Sequence, residues 1–226
     1  MIQLLDLFFP PRCAFCGKLL PIGAKNVCHN CENNLPYIEP GKILRKVGNH
    51  TCAVTFYYED MVRSGIHALK FSGRSARAKI FAPYMVQTIA EELGGEFDAV
   101  TYVPISVQRR FRRGYDQTQL LARYISTAWG IRAEKTLRKI RNNPPQSGIR
   151  SFRERRENVQ NVYALRGDAS IAGRRFLLLD DITTSGSTMI VCADLLLSGG
   201  AASVVCAAFA GGQREKSAEK GKVRIN

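Results

Sequence analysis

Apolar and polar positions in this chain come in blocks that alternate between two periods. Four segments are largely apolar over the length of a strand buried on both faces: 52–60 (CAVTFYYED), 98–105 (DAVTYVPI), 175–181 (RFLLLDD) and 202–210 (ASVVCAAFA). Between them, apolar residues recur at helical spacing. The spacing predicts helices over 61–73, closed by Gly73, and over 77–95, closed by Gly94 and Gly95. A third helix is predicted over 116–130, with apolar residues at 120, 121, 124, 125 and 128. A fourth is predicted over 186–197, with Met189, Cys192, Leu195 and Leu196 on one face. Strands alternating with helices predict an α/β fold, a mostly parallel sheet flanked by helices. In such a fold ligands gather beyond the C-terminal ends of the strands.

The rest of the chain departs from this pattern. Residues 1–50 are loop-rich and punctuated by Pro10, Pro11, Pro21, Pro36 and Pro40, so they read as a small separate module. Residues 51–212 carry the α/β pattern, and 213–226 are polar enough to read as a mobile tail. The segment 141–148 (RNNPPQSG) is incompatible with regular structure.

With 45% apolar residues the chain can bury a substantial core. Its start, MIQLLDLFFPPRC, has no basic residues before its apolar run, contains Asp6 and lacks a small-residue cleavage site; it reads as a short packing helix, not an export signal. No segment is long enough to insert in a membrane, and the expected location is cytoplasmic.

Charge changes the picture. The formal net charge is +14, and residues 104–157 hold fourteen Arg and Lys against four Asp and Glu. Such a concentration favours polyanionic partners: nucleic acid, phosphorylated small molecules or pyrophosphate. The competing reading is a basic surface with no particular client.

Cys13, Cys16, Cys28 and Cys31 form C-x2-C-x11-C-x2-C. That spacing suits a structural zinc site of four thiolates, each pair making one knuckle. A disulfide framework is the rival, and it needs an oxidising compartment. Four thiolates leave no open coordination position, so catalysis at the metal is not implied. Cys192 and Cys206 read as buried packing residues; Cys52, at a strand start, is open to either reading.

The most informative stretch is 174–189, RRFLLLDDITTSGSTM. Small hydroxyl residues around a glycine, where a strand hands over to a helix, make a phosphate cradle. In front of it, Asp180 and Asp181 can accept hydrogen bonds from vicinal hydroxyls or hold a divalent cation. Together these describe a ribose 5-phosphate. A Walker B strand is excluded because no Gly-Lys pair (17–18, 41–42, 221–222) is followed by Ser or Thr. A receiver domain would carry its paired aspartates near its start, and a Rossmann site would need an early G-x-G-x-x-G. A capped helix after a core strand explains one Asp and one Ser, but not both carboxylates.

FLLLDDITTSGST resembles the phosphoribosyl-pyrophosphate signature of the type I phosphoribosyltransferases. With CAFC…CHNC, HALKFSGR and VPISVQRRFRRGYDQ, the chain resembles the ComF family of competence-associated proteins over nearly its whole length. The resemblance implies that Asp180 and Asp181 contact the ribose hydroxyls and Mg²⁺, and are the catalytic pair if the chain is an enzyme. It implies that Thr184, Ser185, Gly186, Ser187 and Thr188 enclose the 5-phosphate, and that Arg109, Arg113 and Gly114 meet the pyrophosphate. Lys70 falls in the family's LKF segment. Ser185 replaces the usual Thr, Asp116 stands where Asn is common, and Thr184 occupies the position where purine-salvage relatives carry a carboxylate.

Two functional expectations follow. One is binding of phosphoribosyl pyrophosphate with Mg²⁺ together with handling of single-stranded DNA in natural transformation, alongside a helicase-like uptake protein. The other is an active phosphoribosyltransferase with an unidentified acceptor. Arginine interleaved with aromatics suits single strands, making Arg110, Phe111, Arg112, Tyr115, Arg150, Phe152, Arg153, Arg155 and Arg156 the nucleic-acid candidates. The alternative is that Phe111 and Phe152 pack inward and the arginines serve only the pyrophosphate.

Overall fold

A computed structural model of the chain describes residues 10–21, 23–24, 26–39, 41–71, 74–142 and 161–212. Gly73, the start at 1–9, the tail at 213–226, and Arg150, Phe152, Arg153, Arg155 and Arg156 lie outside the described residues.

Five strands form the sheet: β1 (Leu44–Val47), β2 (His50–Phe56), β3 (Ala99–Tyr102), β6 (Arg175–Thr183) and β7 (Ser203–Gly211), in the order β1-β2-β7-β6-β3. All pairings are parallel except that of β1 with β2, so the sheet is mixed and mostly parallel, as the alternating pattern predicted. β6 is an interior strand: Leu179 lies opposite Tyr102 on one side and Ala207 on the other. Its run from Phe176 to Leu179 is fully buried, which is why this strand reads as continuously apolar.

Helix α2 (Asp60–Phe71) and helix α3 (Arg77–Leu93) follow β2, and α5 (Gln117–Ala128) follows β3 through a short helix α4 (Val107–Arg113). α3 and α5 cover one face of the sheet; α6 (Ser187–Ser198) covers the other, with a ribbon of β4 (Leu137–Lys139) and β5 (Tyr163–Leu165) beside it. The predicted helix positions hold within a few residues. α4, β4 and β5, and the six-residue helix α1 (His29–Asn34) at the second cysteine pair, were not anticipated.

The cysteine-rich segment does not stand apart from this core. Phe15, between Cys13 and Cys16, is wholly buried. Its ring lies 5.0 Å from that of Phe81 on α3, and Phe81 stacks 4.6 Å from Phe209 on β7. The backbone there runs so close to α2 that a Cβ at Gly65 would meet the Ala14 carbonyl at 3.2 Å and Phe15 Cα at 3.3 Å. β1, ahead of residue 51, adds an antiparallel edge to the same sheet. The first knuckle is thus a plug in the main core.

Truncating that plug has a measurable consequence. Phe15→Ala is expected to lower stability by about 3–5 kcal/mol, the usual loss for a buried aromatic. Denaturant unfolding monitored by far-UV circular dichroism, which reports the main-domain helices, measures it.

Candidate functional site: the C-terminal edge of β6 and the four-thiol cluster

Successive residues of a strand face opposite sides of its sheet, and β6 ends in two carboxylates. The structure therefore separates them. Asp181 turns to the face covered by α3 and α5, where its Oδ2 is 2.8 Å from Lys70 Nζ at the end of α2 and accepts a hydrogen bond from Gln117 Nε2 on α5 at 3.1 Å. Gln117 in turn accepts from Arg113 Nη1 at 2.8 Å. Asp181 is therefore buried with its charge met. Asp180 turns to the other face, toward Lys139, Tyr163 and Cys192, and accepts from the Asp181 amide at 2.8 Å. Desolvation first, and the neighbouring Asp181 carboxylate second, push the Asp180 carboxyl well above the usual carboxylate range.

The loop after β6 has the expected strand-to-helix geometry. Gly186 takes the N-cap position of α6 at φ +73° and, as a glycine, supplies no side-chain cap of its own. The hydroxyls of Ser185 and Ser187 lie 2.9 Å apart. A helix start with amides directed outward, positive potential and a glycine at its N-cap is suited to an oxyanion. Ser185 Oγ accepts from the Ser187 amide at 3.5 Å, so one serine is engaged at the helix start, which the capped-helix reading allows; that reading still leaves the two carboxylates unexplained. Behind the loop sits Val47: a Cβ on Gly186 would lie 2.2 Å from Val47 Cγ1.

α4 carries the arginine motif at the end of β3. Ser106 caps it by accepting from the Arg109 amide at 3.3 Å, and Gly114 ends it in the left-handed region at φ +79°. No residue of α4 is buried. Arg113 lies 4.7 Å from the Phe71 ring centroid, and its Nε is a buried donor without a hydrogen-bond partner among the described residues. On the outer side Phe111 is 91% exposed and Val107 82%, among the exposed Arg110 and Arg112. The inward-packing alternative for Phe111 is thereby overturned. Tyr115 is half-buried instead, its hydroxyl donating to the Leu69 carbonyl at the end of α2.

Asp116 has a structural part to play. Its Oδ1 accepts from the Thr118 and Gln119 amides at 3.0 and 3.1 Å, capping α5, and its Oδ2 accepts from the Ile105 amide at 3.1 Å. All three partners are donors, so an acid serves this position fully. Burial raises its carboxyl all the same.

Three site residues carried no firm signal in the sequence. Gln117 and Lys70 hold Asp181, and Lys139 on β4 lies over the Tyr163 ring at 5.3 Å. Burial, reinforced by Arg109, lowers the Lys139 ammonium to about 8.

The cysteine quartet also assembles. The sulfurs of Cys13, Cys16, Cys28 and Cys31 all lie within 4.8 Å of one another, the one such cluster among the described residues. Tetrahedral zinc with Zn–S of about 2.3 Å needs sulfurs about 3.8 Å apart, so the set fits the ion. The Cys28 amide donates to Cys13 Sγ and the Cys31 amide to Cys28 Sγ, both at 3.4 Å. Burial opposes ionisation of Cys13, but amides of Cys28, Cys16 and Phe15 bring it to about 6. Desolvation and the crowding thiols push Cys31 up. All seven cysteines are free thiols, and Cys52, Cys192 and Cys206 are buried apart from the cluster. No helix among the described residues is long and apolar enough to cross a membrane.

Residues 83–226 match the phosphoribosyl transferase domain family, and residues 4–52 match the double zinc ribbon domain. The chain is 30% identical over 186 residues to the DNA utilization protein YhgH of Salmonella typhi, covering 78% of this chain and 74% of that protein. It is 24% identical to competence protein F of Haemophilus influenzae, covering 80% and 89%, and 25% identical to competence protein ComFC of Bacillus subtilis, covering 78% and 68%.

Two outcomes test the site geometry. Gly186→Ala combines positive φ with the Val47 contact and is expected to lower the melting temperature. Val47→Ala in the same chain removes the 2.2 Å contact, so Gly186→Ala is expected to cost less on the Val47→Ala background than on wild type, with the backbone cost of about 1–2 kcal/mol retained. The second concerns pH. Because the folded Asp180 carboxyl titrates above its unfolded value, the folded state holds the extra proton between the two values. The Asp180 contribution to stability is therefore present at low pH and is lost as pH rises through the raised value; Asp116 acts with the same sign. Urea unfolding across pH 4 to 8 (roughly the carboxyl-to-neutral window) is expected to show Asp180→Asn with a weaker decline than wild type.

Proposed function

Since the chain belongs to the ComF family, a phosphoribosyl transferase domain behind a zinc ribbon, we propose that it binds phosphoribosyl pyrophosphate with Mg²⁺ at the end of β6 and handles single-stranded DNA during DNA uptake. The observation that carries this reading is the strand-to-helix turn with Gly186 at the N-cap of α6, beside two carboxylates and the α4 arginines. The 184–188 loop takes the 5-phosphate on its amides, and the two acids, one on each side of the strand, grip the ribose hydroxyls from different directions. Arg113 Nε, without a hydrogen-bond partner among the described residues and on a side chain anchored through Gln117, faces the pyrophosphate with Arg109. Mg²⁺, when bound, neutralises pyrophosphate charge.

The DNA reading is supported by the exposed Phe111. A phenyl ring exposed to 91% between exposed arginines gains nothing from the fold, and it provides a face for a base with guanidinium groups beside it for the phosphates. The names of the relatives, which speak of competence and DNA utilization, agree with this. We place the activity in the cytoplasm, where a helicase-like uptake protein would deliver the strand.

One observation favours the second reading, an active transferase. Lys139, its ammonium lowered to about 8 and within electrostatic reach of Asp180, is a proton-exchanging group of the kind that Thr184 does not supply. Pyrophosphate release with any acceptor base, lost in Lys139→Met, identifies this reading.

Isothermal titration with phosphoribosyl pyrophosphate and Mg²⁺ is expected to show binding that falls at least about tenfold in Asp180→Asn/Asp181→Asn, whose partners lose a charged acceptor. Fluorescence anisotropy with a single-stranded oligonucleotide is expected to weaken with salt, and Phe111→Ala to cost about 1–3 kcal/mol per stacked base. The acid variants should leave oligonucleotide binding unchanged. No oligonucleotide binding at low salt rejects the DNA reading; no phosphoribosyl pyrophosphate binding rejects the ligand reading.

A further inference from the structure

Arg77 opens α3 and is only 5% exposed, so its charge is carried inside the protein. A guanidinium stays protonated there, and a buried charge is costly unless an opposite one faces it. No carboxylate among the described residues forms an ion pair with Arg77. Its Nη1 donates to the Ala14 carbonyl and its Nη2 to the Cys13 carbonyl at 3.5 Å, both on the first knuckle. Burial works against its charge, as does Arg74, while Cys13, Cys16 and Tyr115 favour it when ionised.

Zinc bound by four thiolates carries surplus negative charge, two positive charges against four negative ones. That surplus is itself partly buried, since Cys13 and Cys31 have no exposed surface. We infer that Arg77 is the counter-charge of the zinc centre, a positioning residue that fixes the first knuckle through its carbonyls and offsets the thiolate charge from the main domain. Each buried charge then removes the other's penalty. The arrangement also links the metal to α3, whose next turns carry Phe81 and Met85 into the core.

A purely mechanical clamp on two carbonyls is the competing account, and the charge distinguishes the two. Arg77→Lys keeps the charge; Arg77→Gln keeps a donor and loses it. Zinc affinity is read on the full-length protein by competition with a chromogenic chelator, and thermal melting is followed with zinc bound and after chelation under reducing conditions. Arg77→Gln is expected to lose about tenfold or more in zinc affinity and Arg77→Lys no more than about threefold, in the range of residues that support metal ligands. With zinc bound, Arg77→Gln should melt below wild type; after chelation it should melt at or above wild type, because the guanidinium has lost its partner. Wild-type zinc affinity in Arg77→Gln overturns the inference. So does an equal loss in both variants, or an equal fall in melting temperature with and without zinc. If Arg77→Gln does not yield folded protein, Arg77→Lys decides alone: zinc affinity within the threefold limit sustains the inference and a larger loss overturns it.

Discussion

A sheet buried on both faces can bring carboxylates to the ligand only where its strands end. β3, β6 and β7 run parallel and finish at one edge, so that edge is where the chain concentrates its polar chemistry. The alternation of β6 then assigns Asp180 and Asp181 to different neighbourhoods, one beside Lys139 and one bonded to Lys70. Lys70 in turn sits at the end of α2, whose position depends on the close approach of the first knuckle at Gly65. Strand direction, helix placement and the cysteine-rich segment therefore meet in the orientation of a single side chain, Asp181.

Much of this was legible because burial imprints itself on composition. β6 and β7 are apolar on both faces, α5 and α6 on one, and the two cysteine pairs have a spacing few other structures require. What could not be read was structure that buries nothing. α4 has no buried residue and hence no apolar period; its only signals are the Ser106 cap and Gly114. β4 and β5 span three residues each, too short for any period. Lys139 and Gln117 look like ordinary polar residues until neighbours distant in sequence surround them. Phe15 was hidden differently: between two metal ligands its apolar character has no local pattern to join, and its partners come from α3, β2 and β7.

The Gly186 turn and the arginine helix need not serve separate purposes. Both carry positive potential, one through backbone amides and the other through guanidinium groups, and both lie at the same sheet edge. They differ in what accompanies that potential. Carboxylates beside the loop suit a sugar, while the open ring of Phe111 suits a base. On the proposed reading, selection between a small ligand and a polymer would rest on the companions of the positive groups.

The seating of Phe15 extends the meaning of the cysteine quartet. A residue that fills the main core is flanked by two ligands of the metal, so the ion helps to hold the core's last aromatic in place. A chain made when zinc is scarce would leave the ribosome with that socket loosely closed and become a substrate for cellular proteolysis. Metal supply would then govern how much of this protein a cell retains, acting through protein lifetime without any separate sensor.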